Sequence, residues 1–299
     1  MKVSFFILTY NRPEETIEAL ENIIHFLHHP EFVEIEIIIV NNNSSIDYTI
    51  LENYIHKPKD ICIKYVINED NKGVAGGRNQ AMALCSGDIL ISLDDDAEFR
   101  ESDIIVNTID LFNSHQYKSV GLITYKVVEQ SDGRVDIATK NKDNLNKKEF
   151  YTTYFKGGAH AIKKDVFKKL GGYEIGGIYG AEEYDLSYRL LDNGYKILHT
   201  SDISILHKKS PTGRENYSVQ LGYLLQNKSL LAHKYLTRKY FISHLILWSL
   251  HYLMKTQGNL LGLIRFLRST IQLSKITSKT PISIETMEYI KSVGGRLIY

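Results

Sequence analysis

The chain has 299 residues, 43% of them hydrophobic and 24% charged, which is the composition of an ordinary globular protein. Its formal net charge is +1, and since proteins that bind the phosphate backbone need a basic face, we expect no nucleic-acid partner. The opening apolar run covers only residues 3–8 before polar residues follow, which is too short for a secretory signal. We therefore expect a cytoplasmic protein.

The net charge hides a difference between two parts of the chain. Residues 215–299 contain eleven lysines and arginines against three glutamates, which leaves 25 basic and 32 acidic residues in 1–214. The two parts therefore carry net charges of +8 and −7. This asymmetry suggests two different roles, and we divide the chain into a first domain, 1–214, and a basic, helical extension, 215–299.

The first domain alternates apolar runs with helical patterns. Strands are predicted at 3–8, 35–40, 61–67 and 89–93, and helices at 14–27, 47–56 and 77–85. Nearly all-apolar strands joined by helices indicate a sheet covered on both faces. The predicted fold class is α/β, with a doubly wound, mostly parallel sheet and a C-terminal helical extension.

Each predicted strand ends in polar residues, so the strand ends are where a ligand is expected. In doubly wound sheets ligands bind beyond the carboxyl ends of the strands. The polar segment at 129–149 is predicted to be a mobile connection between two halves, 1–128 and 150–214. The second half is predicted to contain helices starting near Asp165 and Glu182, and a strand around 196–206.

Three aspartates, Asp94, Asp95 and Asp96, follow the strand at 89–93. Their mutual repulsion is costly without a cation, and hard oxygen ligands suit Mg²⁺ or Mn²⁺, which also bridge the oxygens of a diphosphate. A solvated acidic turn explains the run equally well. His207, which ends a predicted strand before a cationic loop, likewise has two interpretations, a structural histidine or a metal ligand.

Two further motifs lie at predicted helix starts. The glycine-rich segment 71–79 places backbone N–H groups and the guanidinium of Arg78 at the crevice, which favours a diphosphate contact over plain close packing. Glu182, Glu183 and Asp185 occupy the first turn of a later helix. The helix dipole alone accounts for acids there, but one of the three is a candidate general base.

In their order along the chain, these motifs resemble the family 2 glycosyltransferases of the GT-A fold, particularly bacterial rhamnosyltransferase-like members that build surface polysaccharides. The resemblance covers residues 1 to about 215. It implies a nucleotide-diphosphate-sugar donor, a glycan or lipid-linked acceptor, Mn²⁺ or Mg²⁺, and direct displacement with inversion at the anomeric carbon. Asn41 stands where the family usually has a base-reading aspartate, and because its side-chain oxygen still accepts from a pyrimidine imide, UDP- or dTDP-sugars are the expected donors.

The resemblance also implies roles for individual residues. Those assigned to the donor are Thr9, Tyr10, Asn11, Arg12, Asn41, Asn71, Gly73, Arg78, Asp94, Asp95 and Arg214. The metal ligands are Asp96 and His207, and the base is Glu183, with Asp185 in reserve. Residues expected to border the acceptor are Tyr154, Gly157, Gly158, His160 and Glu182.

The extension shows helical patterns at 217–235, 241–254 and 259–273. The apolar run at 241–254 is shorter than the roughly 20 residues that span a bilayer. Its cationic surroundings suit an anionic membrane interface, while packing on the catalytic domain or on a second copy of the chain, as a homodimer, is the alternative.

Two other functions remain open. A sugar nucleotidyltransferase also combines an α/β sheet with acidic metal ligands, but it normally has a glycine-rich loop where this chain has Thr9, Tyr10 and Asn11. A non-catalytic nucleotide- or glycan-binding module is consistent with Asn41 and Glu183, the two departures from the family pattern.

Overall fold

The computed structural model describes residues 1–28, 30–58, 61–174, 180–209 and 216–298. Its strands are β1 (Lys2–Thr9), β2 (Glu34–Asn41), β3 (Cys62–Ile67), β4 (Ile89–Leu93), β5 (Ala97–Phe99), β6 (Val120–Glu129), β7 (Val135–Asp136), β8 (Glu149–Thr152), β9 (Ala159–Lys163) and β10 (Lys196–His207). Its helices are α1 (Pro13–Glu21), α2 (Thr49–Ile55), α3 (Gly73–Leu84), α4 (Ile104–Asn113), α5 (Lys164–Leu170), α6 (Glu182–Asp192), α7 (Tyr217–Tyr235), α8 (Arg238–Lys255), α9 (Leu260–Ile276) and α10 (Ile284–Ser292).

The strands of the described residues form one sheet in the order β3-β2-β1-β4-β9-β6-β10-β5, with β7 on β6 and β8 on β10. The first four strands of this order are parallel to one another, as the apolar runs predict. β9 runs antiparallel to both β4 and β6, so the second half makes the sheet mixed. The predicted α/β class with a helical extension is confirmed.

Alternate residues of the central strands face two separate cores. Phe5 of β1 packs with Ile37 of β2 in one hydrophobic cluster. Phe6 and Ile38, the next residue of each strand, belong to a second cluster. This is the alternation of strands whose two faces are both covered. Polar side chains follow the carboxyl ends of β1 and β4, where the cleft described below lies.

The segment at 129–149 is more than the connection that its polar composition predicts. β7 pairs antiparallel with β6. Ile137 and Ala138, which follow β7, are both buried. A two-residue strand is too short to produce a visible alternation in the sequence. Its pairing with β6 carries Asp136 to the cleft.

The helical extension packs against the first domain through α7. Leu231 and Tyr235 of α7 lie in the same hydrophobic cluster as Leu186 and Leu190 of α6. α8 and α9 pack instead on the other side of α7, in a third cluster that includes Tyr252. No helix within the described ranges combines the length and apolar character that crossing a membrane requires.

Candidate active site

A cleft of about 560 Å³ lies beyond the carboxyl ends of β1 and β4. Most of the predicted site residues line it. They are Thr9, Tyr10, Arg12, Asn71, Gly73, Arg78, Asp94, Asp95, Asp96, Gly157, Gly158, Glu182, Glu183 and His207.

Strand pairing explains why His207 reaches the aspartates from more than a hundred residues away. At the end of β10, His207 lies opposite Ala97 of β5 on one side and Glu129 of β6 on the other. The next residue, Lys208, donates its backbone N–H to the carbonyl of Asp96 over 2.9 Å. The imidazole is thereby fixed beside the acidic run.

Asp94, Asp96 and His207 form a group suited to a divalent cation. One ligand atom from each lies within 4.8 Å of the others. The imidazole Nε2 is 3.3 Å from Asp96 Oδ1, and Nδ1 is 3.3 Å from Glu129 Oε2. The Glu129 carboxylate faces Nδ1, where a hydrogen bond would orient the ring and leave Nε2 for a cation, an arrangement common around ligating histidines. The donor set fits Mn²⁺ or Mg²⁺.

Protonation of His207 follows from the same neighbours. Burial disfavours the charged imidazole, but the hydrogen bond and the negative charge of Asp96 outweigh burial, so the pKa of His207 is raised. The negative charges of Asp96 and Glu129 beside the ring favour a positive charge there, either a proton on the imidazole or a bound metal ion.

Asp95 turns away from the metal group toward the turn after β1. Arg12 Nη1 lies 2.7 Å from Asp95 Oδ1 and 3.3 Å from Asp96 Oδ2. Burial raises the pKa of Asp95 to about 7, although the positive charge of Arg12 opposes the shift. Arg12 thus ties the turn at residues 9–12 to the acidic run.

Arg78 joins the metal group to the two glutamates of α6. Its Nη2 donates to Asp94 Oδ1 over 2.9 Å, and its Nη1 lies 3.5 Å from Oε1 of both Glu182 and Glu183. The Glu183 side chain is 21% exposed against 7% for Glu182. Burial and the charge of Glu183 raise the pKa of Glu182 to about 7, although Arg78 opposes the shift. Glu183 is therefore the more accessible carboxylate of the pair.

Gly157 and Gly158 allow the loop before β9 to pass close to these side chains. β9 runs antiparallel to β4 with Ala159 opposite Leu93, which brings Gly158 next to Asp94. A Cβ atom at Gly158 would overlap with the Asp94 carboxylate, and one at Gly157 with Arg78 and Glu183. Glycine is needed here for close approach.

Replacing Gly158 with alanine is expected to displace the Asp94 carboxylate and lower activity by about 10²-fold, the cost of a misplacement of about 1 Å. Enzyme kinetics and Mn²⁺ titration measure the effect. Gly133→Ala is the control, because a Cβ there meets nothing within 4 Å. It should cost stability through its positive φ, but not activity. Wild-type kinetics and Mn²⁺ affinity in Gly158→Ala would contradict this role.

The start of α3 is organised by Asn42, a residue that the sequence did not single out. Its Nδ2 donates to Asn71 Oδ1 over 2.9 Å and to the Gly73 carbonyl over 3.1 Å. Its Oδ1 accepts from the backbone of Lys72 over 3.1 Å. Gly73 has φ +66°, a conformation that glycine adopts without strain. Asn42 therefore fixes the segment expected to meet the diphosphate.

Asn11 and Asn41, expected to line the donor pocket, are not among the described residues that line the cleft. Asn41 is 4% exposed, donates to Tyr65 and accepts from the backbone of Ser44. Asn11 accepts from the backbone of Ser45. Both side chains hold the loop after β2 in place.

Three other expected residues also lie outside the cleft. Asp185 is fully buried on the far side of α6, where it pairs with Arg189 and accepts from Tyr235 over 2.6 Å. These partners hold its carboxylate away from the cleft. Tyr154 stacks on Tyr184, and His160 is fully buried among aromatic rings. Arg214 lies outside the described residues.

Replacing Asp185 with asparagine is expected to destabilise the fold by about 3–5 kcal/mol, because Arg189 and Lys234 lose their buried counter-charge. Burial raises the pKa of Asp185, but these cations and Tyr235 outweigh burial and lower it. A lowered folded-state pKa contributes stability above the unfolded-state value, which is lost as pH falls through the folded-state pKa.

Urea unfolding at several pH values tests this pairing. The difference in unfolding free energy between wild type and Asp185→Asn should be largest near pH 7 and should decrease below about pH 4. A difference below about 1 kcal/mol at pH 7 would show that the buried pair does not stabilise the fold.

Several cleft residues come from segments that carry no recognisable motif. Lys156 and Asp136 form an ion pair of 2.7 Å at the cleft. Gln220 and Leu224 of α7 complete the wall, so the extension contributes to the site. Lys156 is a single charged residue between aromatic residues and glycines, which gave no signal. The helical period of α7 does not show which of its faces meets the cleft.

The mixed sheet and the acidic cleft at its strand ends define a GT-A glycosyltransferase, as expected from the sequence. A solved structure of GalNAc-T7 with UDP, GalNAc and Mn²⁺ has this fold, with a TM-score of 0.67 and 17% identity over 98% of this chain and 57% of that chain. Residues 4–171 match the family model "Glycosyl transferase family 2", and the chain belongs to this family.

Two curated relatives are similar to parts of the chain. The putative colanic acid biosynthesis glycosyl transferase WcaA of Escherichia coli is 27% identical over 44% of this chain and 42% of its own length. The O-antigen chain rhamnosyltransferase WbaN of Salmonella anatum is 24% identical over 51% of both. The chain thus spans about half the length of these relatives. The family match favours a transferase over a sugar nucleotidyltransferase.

Proposed function

We propose that the protein is a metal-dependent, inverting glycosyltransferase that moves a sugar from a nucleotide-diphosphate donor, a UDP- or dTDP-sugar, to an acceptor hydroxyl. The single observation that carries the proposal is that Arg78 bridges the Asp94, Asp96 and His207 group to Glu183 within one cleft. A diphosphate site and a base are thereby adjacent, as displacement of a diphosphate requires.

In the proposed reaction, the acceptor oxygen forms a bond to the anomeric carbon as the bond from that carbon to the diphosphate oxygen breaks. Glu183 accepts the proton of the acceptor hydroxyl. Arg78 contacts both Glu183 and Asp94 and fixes their positions relative to each other. Asp94, Asp96 and His207 would hold a divalent cation, which would supply stabilisation of the negative charge that develops on the leaving diphosphate. Because the groups are already in place, little reorganisation is needed at the moment of reaction.

The nucleotide is proposed to lie between the turn after β1 and the start of α3. Thr9, Tyr10 and Arg12 line this end of the cleft, with Asn71 and Gly73 opposite them. Thr9 is held by hydrogen bonds to Tyr48 and Thr16 of 2.8 and 2.7 Å. A pocket built from such internally bonded residues is preorganised, which reduces the entropic cost of binding.

We propose that the acceptor is a glycan or a lipid-linked glycan in surface polysaccharide synthesis. The names of WcaA and WbaN support this class. We place the enzyme in the cytoplasm, with the extension as the part that meets either the inner face of the membrane or a second copy of the chain. The surface of α8 and α9 distinguishes these two partners, as argued below.

The configuration of the transferred sugar tests the proposed reaction. NMR of the product formed from an α-linked donor should show a β linkage, because one displacement inverts the anomeric carbon. An α-linked product would rule out single displacement with Glu183 as the base.

A further inference from the structure

Apolar side chains on α8 face solvent along one stripe. Ile242, Ile246, Leu250 and Met254 follow each other at four-residue spacing and are 46%, 55%, 54% and 72% exposed. Residues four apart lie on one face of a helix. On α9, five more apolar side chains are exposed, namely Leu260, Leu261, Ile264, Ile271 and Ile276. Exposed apolar surface of this extent on two successive helices indicates an interaction surface.

The charges around these stripes have one sign. Residues 216–283 contain nine lysines and arginines and neither aspartate nor glutamate. Seven of the nine are exposed, namely Arg238, Lys239, Lys255, Arg265, Arg268, Lys275 and Lys279. A second copy of this face would meet it with like charge, which disfavours a symmetric contact between two chains. An anionic lipid surface instead matches both the cations and the apolar stripes.

α7 connects this surface to the cleft. Its Gln220 and Leu224 line the cleft, whereas Leu221 packs with Tyr252 of α8 and Phe266 of α9. At Gly222 the ring of Phe266 packs so closely that a Cβ atom would overlap with it. The α8–α9 pair is therefore held against α7, one helix away from the cleft.

We propose that the α8–α9 surface, defined by the exposed apolar and basic residues named above, docks the protein on an anionic lipid membrane. The two helices lie in the membrane interface without crossing the bilayer. Docking itself is independent of the proposed function. Its consequence, that the cleft is presented to a lipid-linked acceptor at the membrane, rests on that function.

Vesicle co-sedimentation of the full chain tests the docking. Wild type should bind phosphatidylcholine vesicles that contain phosphatidylglycerol at least about 10-fold more tightly than vesicles of phosphatidylcholine alone, and added salt should weaken the binding. The double variant Ile246→Asn, Leu250→Asn should bind at least about 10-fold more weakly, since both side chains are exposed and their loss leaves the core intact. Phe32→Asn, at a 73% exposed position outside the surface, should bind as wild type does.

Two results would overturn the proposal. One is a wild-type protein that does not bind anionic vesicles. The other is a dimer in light scattering that the Ile246→Asn, Leu250→Asn variant converts to a monomer, which would assign the surface to a second copy. Nucleotide release from the donor, measured without vesicles, should be equal in wild type and in this variant. That readout separates a failure of docking from a failure of the proposed function.

Discussion

Replacing Glu183 with glutamine is expected to lower the rate of sugar transfer by about 10²–10⁴-fold, the usual contribution of a general base. Glutamine keeps the shape of the side chain and its place beside Arg78 but does not take up a proton. Donor affinity should therefore change little, so the loss should fall on kcat rather than on KM. Steady-state kinetics measure the change in kcat. Calorimetry of nucleotide binding on the same samples measures the change in donor affinity.

The control for this variant is Glu52→Gln, an exposed glutamate in the first turn of α2. It should transfer sugar at the wild-type rate. If Glu183→Gln also kept the wild-type rate, Glu183 would not be the base. A loss of donor binding equal to the loss of rate would assign the residue to the donor site instead.

Replacing Asp96 with asparagine is expected to lower turnover by about 10²–10³-fold, because a bound cation contributes several kcal/mol of charge stabilisation. Asparagine retains one oxygen but loses the negative charge that pairs with Arg12 and faces His207. Mn²⁺ affinity, measured by calorimetry or by the paramagnetic broadening of nearby signals, should fall together with turnover.

A graded comparison strengthens the test of the metal group. Glu129→Gln should lower Mn²⁺ affinity by about 10–100-fold, since Glu129 acts by orienting His207. Asp103→Asn, at a side chain that is 66% exposed, should leave Mn²⁺ affinity unchanged. Equal Mn²⁺ affinity in wild type and Asp96→Asn would show that the cation binds elsewhere.

The chain could be divided into strands and helices from its sequence because both faces of the sheet are covered. Runs such as that in β2 are apolar at nearly every position, so strands and their polar ends stand out. The antiparallel pairings of β9 could not be predicted in this way. β9 reaches its place between β4 and β6 through pairings that link distant parts of the chain, and no local pattern encodes them.

The side chains of α6 show what local patterns do and do not decide. Residues two apart on a helix do not share a face, so Asp185 could not serve the cleft once Glu183 faced it. Once the orientation of the helix is known, the sequence spacing alone shows that Asp185 and Glu183 cannot both face the cleft. The orientation itself depends on packing against α7, where Tyr235 and Lys234 bind Asp185.

Asn41 illustrates a different limit. Family resemblance locates the position, and the side-chain chemistry allows it to contact a base. In the structure each of its two polar atoms makes one hydrogen bond within the protein, to Tyr65 and to the backbone of Ser44. Glu129 and Lys156 were missed for the opposite reason, because a single charged residue at the end or start of a strand is unremarkable until the fold brings partners to it.

Nucleotide release from a panel of UDP-, dTDP- and GDP-sugars is the most direct test of the account. With Mn²⁺ and lipid-linked and oligosaccharide acceptors present, one nucleotide should be released, and a chelator should abolish its release. If a nucleotide binds but no donor is turned over with any of these acceptors, the protein is a non-catalytic binding module and not a transferase.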